Sequence, residues 1–171
     1  MKSNRENLTD VFEGRRPEYI PLTIYEDFVD DDPYWDELFA SGLCKIPFRY
    51  PFKEINHNML KLTDKKISNG RSIEHITLKT PVGEVHSVLY DGWTEEYFLK
   101  TPEDYSVMKY IVENTKLEFD PKPFLDEEKV LGEKGITQVL LKRSPMQTIL
   151  VDYAGLENFA YHLADGFPQL F

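Results

Sequence analysis

Residues 12–27 read F-E-G-R-R-P-E-Y-I-P-L-T-I-Y-E-D, and this stretch carries the clearest indication of the fold. It predicts the end of a helix, a turn at Gly14, a proline-containing loop and a short apolar strand. That strand ends at three side chains, Tyr25, Glu26 and Asp27. In α/β proteins, ligands bind at the carboxyl ends of parallel strands. We therefore treat these three residues as candidate substrate-binding residues.

The composition is that of a soluble globular protein: 171 residues, 41% hydrophobic and 29% charged. No apolar run approaches the roughly 18 residues that span a bilayer, and the N-terminus lacks the apolar core of a secretory signal. A net charge of -10 argues against nucleic acid as a partner. The single cysteine, Cys44, is typical of a reducing cytoplasm. We expect a cytoplasmic protein that binds neither nucleic acid nor membranes.

The middle of the chain differs from its two ends. Between about 53 and 92, runs rich in Ile, Val, Leu and Thr are separated by turn sequences at Asn69-Gly70 and at 81–83. This pattern predicts an antiparallel β-meander. After a helix that begins at Thr101-Pro102, helical and strand-like segments alternate, which favours parallel α/β construction.

The predicted parallel strands are too few for a complete barrel. Two or three are visible, whereas a closed (β/α)8 barrel needs about 250 residues. A parallel strand left at an open edge would expose unpaired backbone groups. We therefore expect one domain, 1–171, that forms the N-terminal part of a longer TIM-type (β/α)8 barrel and carries the meander as an insertion.

Four segments in this order resemble the N-terminal half of the uroporphyrinogen decarboxylase superfamily. That superfamily includes the decarboxylase of porphyrin biosynthesis and the zinc-dependent methyltransferases that move methyl groups to or from corrinoid (cobalamin) proteins. The resemblance covers nearly all of the chain and implies a TIM-type barrel. The segments are R-E-N-L-T-D-V-F-E-G-R-R-P-E-Y-I-P-L, T-P-V-G-E-V, K-T-P-E-D-Y-S-V-M-K-Y-I-V-E-N and R-S-P-M-Q-T-I-L-V-D-Y-A-G-L-E-N-F.

Within the superfamily, three departures disfavour the decarboxylase. Its first strand ends in an Arg-Gln-x-Gly-Arg segment that holds substrate carboxylates, and here Glu26 stands about where the first arginine should be. A carboxylate at that position would repel a polyacidic porphyrinogen. The Phe-Ser-Asp-type segment with the catalytic aspartate is not found, and the substrate-contacting tyrosine corresponds to Val151. The resemblance therefore implies the corrinoid-linked methyltransferase branch.

That branch implies zinc and a corrinoid as cofactors of a full-length protein. Its zinc ligands are a His-x-Cys pair and a later Cys, none of which occurs in this sequence, so we expect the chain alone to be an inactive fragment. The implied partners are a small-molecule methyl donor or acceptor and a corrinoid protein. Two alternatives stay open: a true uroporphyrinogen decarboxylase, and a non-catalytic binding module that pairs with a second chain.

Further candidates are single residues. Arg143 follows the predicted strand 136–141 and could clamp a carboxylate or phosphate of the substrate, or be an ordinary loop arginine. Cys44 lies in an apolar strand and is expected to pack as a small hydrophobe. His75 and His86 could be cross-strand neighbours, and a zinc pair there would lack thiols and a third ligand.

Overall fold

The computed structural model describes residues 2–167 as two compact units. Unit 1 comprises Met1–Lys53 and Glu118–Leu141, and unit 2 comprises Glu54–Leu117 and Lys142–Phe171. Each unit is therefore built from two separate stretches of the chain.

Ten strands and six α-helices make up the described residues. The strands are β1 (Leu22–Tyr25), β2 (Leu43–Ile46), β3 (Phe48–Arg49), β4 (Phe52–Ile55), β5 (Leu60–Ser68), β6 (Arg71–Thr80), β7 (Gly83–Tyr90), β8 (Trp93–Glu96), β9 (Lys116–Phe119) and β10 (Gln138–Val139). The helices are α1 (Asn4–Phe12), α2 (Tyr34–Ala40), α3 (Pro102–Asn114), α4 (Lys122–Leu131), α5 (Pro145–Thr148) and α6 (Leu156–Ala164). Short 3-10 turns lie at Glu26–Phe28 and Gly132–Lys134, and a π-helical segment lies at Ile149–Tyr153.

The prediction of a TIM-type barrel is wrong for residues 2–167. Strands pair in four small sheets: β1 with β2, β3 with β10, β4 with β9, and the antiparallel sheet β5-β6-β7-β8. The first two pairs are parallel, as the alternation of strands and helices indicates, but each contains only two strands. Local alternation predicts the direction of neighbouring strands and not the number that join one sheet. The described part of the chain is mixed α/β, and its largest sheet is antiparallel.

Two asparagines of α1 organise the N-terminal half of unit 1. Ser3 and Glu6 form the capping box that starts this helix. The Asn4 amide donates to the carbonyl oxygen of Leu43 at 3.0 Å. The Asn7 side chain is fully buried, donates to the Tyr19 carbonyl at 2.8 Å and accepts from a backbone N–H of the same loop. Because a buried amide without partners is costly, these bonds fix the loop between α1 and β1.

Strand β2 runs through the centre of unit 1. It pairs with β1 from Leu22 to Tyr25, and Lys45 also forms a parallel bridge with Gly135. The sequence prediction that Cys44 packs as a hydrophobe is confirmed, since this thiol is fully buried and burial raises its pKa. Leu22 and Tyr25 remain exposed, so β1 lies at the surface of the unit.

In unit 2, the turns predicted at Asn69-Gly70 and at 81–83 connect β5 to β6 and β6 to β7. Helix α3 packs against β6 and β7, begins at Thr101-Pro102 as predicted, and has a capping box formed by Thr101 and Asp104. The core of this unit lies between them. It contains Val85, Leu99, Tyr105, Val107, Met108, Ile111, Ala154 and Phe159.

One buried polar pair lies beside this core. The Tyr105 hydroxyl and His162 Nδ1 are 3.0 Å apart, and the rings meet edge to face at 5.7 Å. This bond pairs the Tyr105 hydroxyl with one ring nitrogen of His162 and ties α6 to α3 inside unit 2. Across residues 2–167, no helix is both long and apolar enough to cross a membrane.

Gly135 provides a test of the packing in unit 1. A Cβ atom at this position would lie 1.8 Å from the Lys45 carbonyl oxygen, although the backbone itself is extended and suits any residue. Gly135→Ala is therefore expected to lower the free energy of unfolding of unit 1 by about 3 kcal/mol through overpacking. Urea unfolding followed by Trp35 fluorescence in a Trp93→Phe background reports this unit alone, because the chain has 2 tryptophans.

Gly14→Ala is the matched control. Gly14 has φ +70, and a Cβ atom added there would meet nothing within 4 Å. This change therefore measures only the cost of a left-handed alanine, about 1 kcal/mol. If Gly135→Ala and Gly14→Ala lowered the free energy of unfolding equally, the close approach of Gly135 to β2 would be contradicted.

Candidate functional site

The carboxylate predicted at the end of β1 is part of an ion-pair cluster in unit 1. Glu26 begins the 3-10 turn that follows β1. Its two oxygens accept from the Arg49 guanidinium at 2.6 and 3.0 Å, and Oε1 also accepts the backbone N–H of Phe48 at 3.1 Å. Arg49 Nη2, which donates to Glu26 Oε2, also donates to Glu127 on α4. We call Glu26, Arg49 and Glu127 the strand-end cluster.

This cluster leaves little hydrogen-bonding capacity on its arginine. Arg49 donates to Glu26, to Glu127 and to the carbonyl oxygen of Phe48 at 2.6 Å. A guanidinium has five N–H donors, and four are used here. Arg49 therefore binds the protein's own carboxylates and has no pair of free N–H donors for a ligand carboxylate.

The protonation of Glu26 follows from these contacts. The hydrogen bond from Arg49 lowers the pKa of Glu26, and the Phe48 N–H lowers it further, against the opposing effect of burial. Glu26 therefore carries no proton near neutral pH, which argues against its use as a general acid. With two carboxylates and one guanidinium, the strand-end cluster has a net charge of -1.

The other two predicted residues of this stretch lie beside the cluster and face solvent. The Tyr25 ring packs against Phe48 with centroids 5.2 Å apart, and 52% of the residue is exposed. Asp27 is exposed, and no hydrogen bond or ion pair of its side chain occurs within residues 2–167. An exposed tyrosine ring can contact a small cation, and an exposed carboxylate can hold a cation or a hydrogen-bond donor.

A second ion pair lies one residue further along α4. Glu128 accepts from Arg5 of α1 and from the Thr137 N–H at 2.9 Å. The hydrogen bond from Arg5 lowers the pKa of Glu128 to about 2. Arg5 also donates to the Gly135 carbonyl oxygen at 3.2 Å, so this pair fastens α4 to α1 and to the segment before β10.

Arg143, the fourth predicted residue, belongs to unit 2. Its guanidinium donates to Asp152 of the π-helical segment at 3.2 Å, and both side chains are about half exposed. Strand β10 covers only Gln138–Val139, shorter than the predicted strand 136–141. Arg143 therefore follows an irregular segment and lies just before the Ser144 cap of α5.

The histidines of the antiparallel sheet lie diagonally on one face. His75 pairs with Val88 and His86 with Thr77, so they are not directly opposite one another. The Thr77 hydroxyl lies 2.9 Å from His86 Nδ1, and Glu84 lies 3.3 Å from Nε2. Among the side chains that the structure describes, no group of three or more His, Cys, Asp and Glu could hold a metal ion.

Comparison with known proteins adds no family assignment: no family model, curated protein or solved structure matches this chain. The resemblance to the uroporphyrinogen decarboxylase superfamily thus stays a prediction from the four sequence segments.

Sequence reasoning finds Glu26 and misses the residues that hold it. Arg49 lies 23 residues after Glu26 in the sequence, and Glu127 lies 78 residues after Arg49. In the structure, Arg49 ends β3 and the acidic pair Glu127-Glu128 lies on α4. Pairing them requires the parallel register of β1 with β2, which a single sequence does not give.

The first prediction from the site concerns Arg49. Arg49→Met leaves the carboxylates of Glu26 and Glu127 facing each other without a counter-charge, and is expected to destabilise unit 1 by about 2 kcal/mol. Glu26→Gln, which keeps one accepting oxygen, is expected to cost about 1 kcal/mol. Trp35 fluorescence during urea unfolding, in the Trp93→Phe background, measures both. The variant with both Arg49→Met and Glu26→Gln should lose less free energy of unfolding than the sum of the two single losses. A loss equal to that sum would contradict the ion pair between Arg49 and Glu26.

The second prediction concerns the pH dependence that Glu128 causes. Its pKa is lowered on folding from 4.5 to about 2, so its contribution to stability is complete above pH 4.5 and disappears as the pH falls towards 2. Glu128→Gln keeps an oxygen for the Thr137 N–H and removes the charge. It is expected to cost about 1.5 kcal/mol at pH 7 and progressively less below pH 4.5.

Unfolding curves at several pH values between 7 and 2 measure this difference. Glu118→Gln is the control, because Glu118 is exposed on β9 and forms no ion pair within the described residues. If the difference in free energy of unfolding between the wild type and Glu128→Gln stayed constant down to pH 2, the coupling of Glu128 to Arg5 would be contradicted.

Proposed function

We propose that this chain is part of a cytoplasmic methyl-transferring enzyme similar to the corrinoid-linked branch of the uroporphyrinogen decarboxylase superfamily, and that its strand-end cluster borders the substrate site. The four sequence segments support the superfamily. The charge of the strand-end cluster supports the branch. The single, buried Cys44 supports the reducing compartment.

The observation on which the proposal depends is the saturation of Arg49. A site for a porphyrinogen with many carboxylates needs arginines with free N–H donors. At the end of β1, the only guanidinium in the cluster is held by Glu26 and Glu127, and the group as a whole is negative. Asp27 and the Tyr25 ring are the groups left to contact a ligand. They favour a small uncharged or cationic methyl compound over a polycarboxylate.

The zinc that the resemblance implies does not fit the residues present. Zinc in such enzymes is held by thiolate and imidazole ligands, and the one cysteine of this chain is buried in β2. Within residues 2–167 no alternative group of three ligands exists. The proposal therefore assigns this chain substrate contacts and no metal chemistry.

Titrations with two tetrapyrroles test the proposal. Uroporphyrin, the stable oxidised form of the decarboxylase substrate, is expected to show no saturable fluorescence change with the protein. Hydroxocobalamin, used as the corrinoid, is expected to show a saturable absorbance change. Saturable uroporphyrin binding, or formation of coproporphyrinogen from uroporphyrinogen, would overturn the methyltransferase branch. Failure of hydroxocobalamin to bind would overturn the corrinoid link.

A charge-reversal variant adds a directional control. Glu26→Arg releases Arg49 from its bidentate partner and makes the cluster positive, so saturable uroporphyrin binding is expected to appear in this variant. Asp31→Arg makes the same change of charge in the exposed loop before α2 and, like the wild-type protein, should show no saturable uroporphyrin binding. Equal gains in both variants would show an effect of net charge alone and contradict a site at the end of β1.

A further inference from the structure

Unit 2 contains an open groove that the strand-end cluster does not involve. Its volume is about 920 Å³, within the range of small-molecule sites. The floor consists of Leu99, Tyr105 and Met108, all buried members of the core. Val82 and Val112 also line it and are 55% and 57% exposed. The groove is thus a rigid apolar surface whose outer walls are left in contact with water.

One wall is formed by an unusual helical segment. Ile149 and Tyr153, the first and last residues of the π-helix, both line the groove. The Ala154 N–H donates to the Ile149 carbonyl at 2.8 Å, which closes the wide turn, and the Leu99 N–H donates to the Tyr153 carbonyl at 2.9 Å. π-helical turns are rare and are found mostly at functional sites. Here the wide turn places two side chains on the groove and ties that wall to the floor.

The lining also indicates the chemistry of a ligand. Tyr105, Tyr110 and Tyr153 provide aromatic surface, and Met108 provides a thioether, which are groups that pack well against flat rings. The two charged residues, Lys109 and Glu113, are one turn apart on α3, mostly exposed, and paired at 3.9 Å. Their charges cancel, so the groove offers no net charge to an ionic ligand.

Three hydroxyl-bearing side chains of the lining, Ser106, Tyr110 and Tyr153, form no side-chain hydrogen bond within residues 2–167, and Tyr153 is the one of them that packs against the buried core. The Tyr153 hydroxyl forms no hydrogen bond with any described residue. Burial raises the pKa of this phenol, so it stays protonated and able to donate. A mostly apolar site with a small number of polar groups is the usual arrangement for recognising a small molecule.

We propose that this groove binds a flat, uncharged aromatic molecule, packed between the π-helical segment and α3 and hydrogen-bonded to the Tyr153 hydroxyl. This site lies wholly within unit 2 and is independent of the function proposed for the strand-end cluster. Flat shape follows from the tyrosine and methionine lining, and absence of charge follows from the paired Lys109 and Glu113.

The probe for this site is prodan, an uncharged naphthalene dye whose emission shifts to the blue in apolar surroundings. Saturable binding with one site per chain is expected. Val112→Lys places an ammonium in the groove on an exposed helix position and should weaken prodan binding at least about tenfold. Val11→Lys is the matched control, because Val11 is a similarly exposed valine on α1 of unit 1. The affinity of this variant for prodan should stay within about twofold of the wild-type value.

Two further measurements test the details. Tyr153→Phe keeps the ring and removes the hydroxyl, and is expected to weaken prodan binding about fivefold. Val82 lies in the turn between β6 and β7, on a second wall of the groove, so Val82→Lys should weaken prodan binding as Val112→Lys does. Circular dichroism verifies that each variant is folded. Non-saturable prodan binding, or unchanged affinity in both lysine variants, would overturn the site. Tighter binding of the anionic dye anilinonaphthalene sulfonate would overturn the uncharged ligand class.

Discussion

Unit 1 depends on two consecutive carboxylates of α4. Consecutive helical residues point about 100° apart, so Glu127 and Glu128 reach different neighbours. Glu127 accepts from Arg49 of β3, and Glu128 accepts from Arg5 of α1. One turn of one helix is thereby fastened to the strand that follows β2 and to the N-terminal helix. Because α1 also holds the loop that leads into β1, through Asn7, the position of the strand end follows from these ion pairs.

Local sequence patterns predict local structure well in this chain. The capping boxes at Ser3, Thr101 and Ser144 are present, and so are the hairpin turns of the antiparallel sheet. Each of these features depends on residues within four or five positions of one another, where side-chain chemistry alone selects the backbone conformation. The burial of Cys44 follows in the same way, from its place in a short apolar strand.

Long-range pairing does not follow from such patterns. Alternating helices and strands indicate a barrel, but β10 has only two paired residues and joins β3 rather than extending the sheet of β1 and β2. The segment after it, including Leu140 and Leu141, has the apolar character of a strand and is exposed and irregular. Apolar runs of this length favour burial without specifying a partner, and the partner decides the sheet.

The hydrogen-bonding capacity that remains after folding separates structural polar groups from recognition groups. Arg49 and Glu26 use nearly all of theirs on each other, on Glu127 and on the backbone, so their role is to hold β1, β3 and α4 together. The Asp27 carboxylate and the Tyr153 hydroxyl keep their hydrogen-bonding capacity, since neither forms a hydrogen bond with another described residue. An exposed carboxylate suits a cationic or hydrogen-bond-donating ligand, whereas a tyrosine that lines an apolar groove suits a neutral one. The two sites that we propose therefore differ in the ligand chemistry expected of them, because folding leaves different polar groups without a partner in each unit.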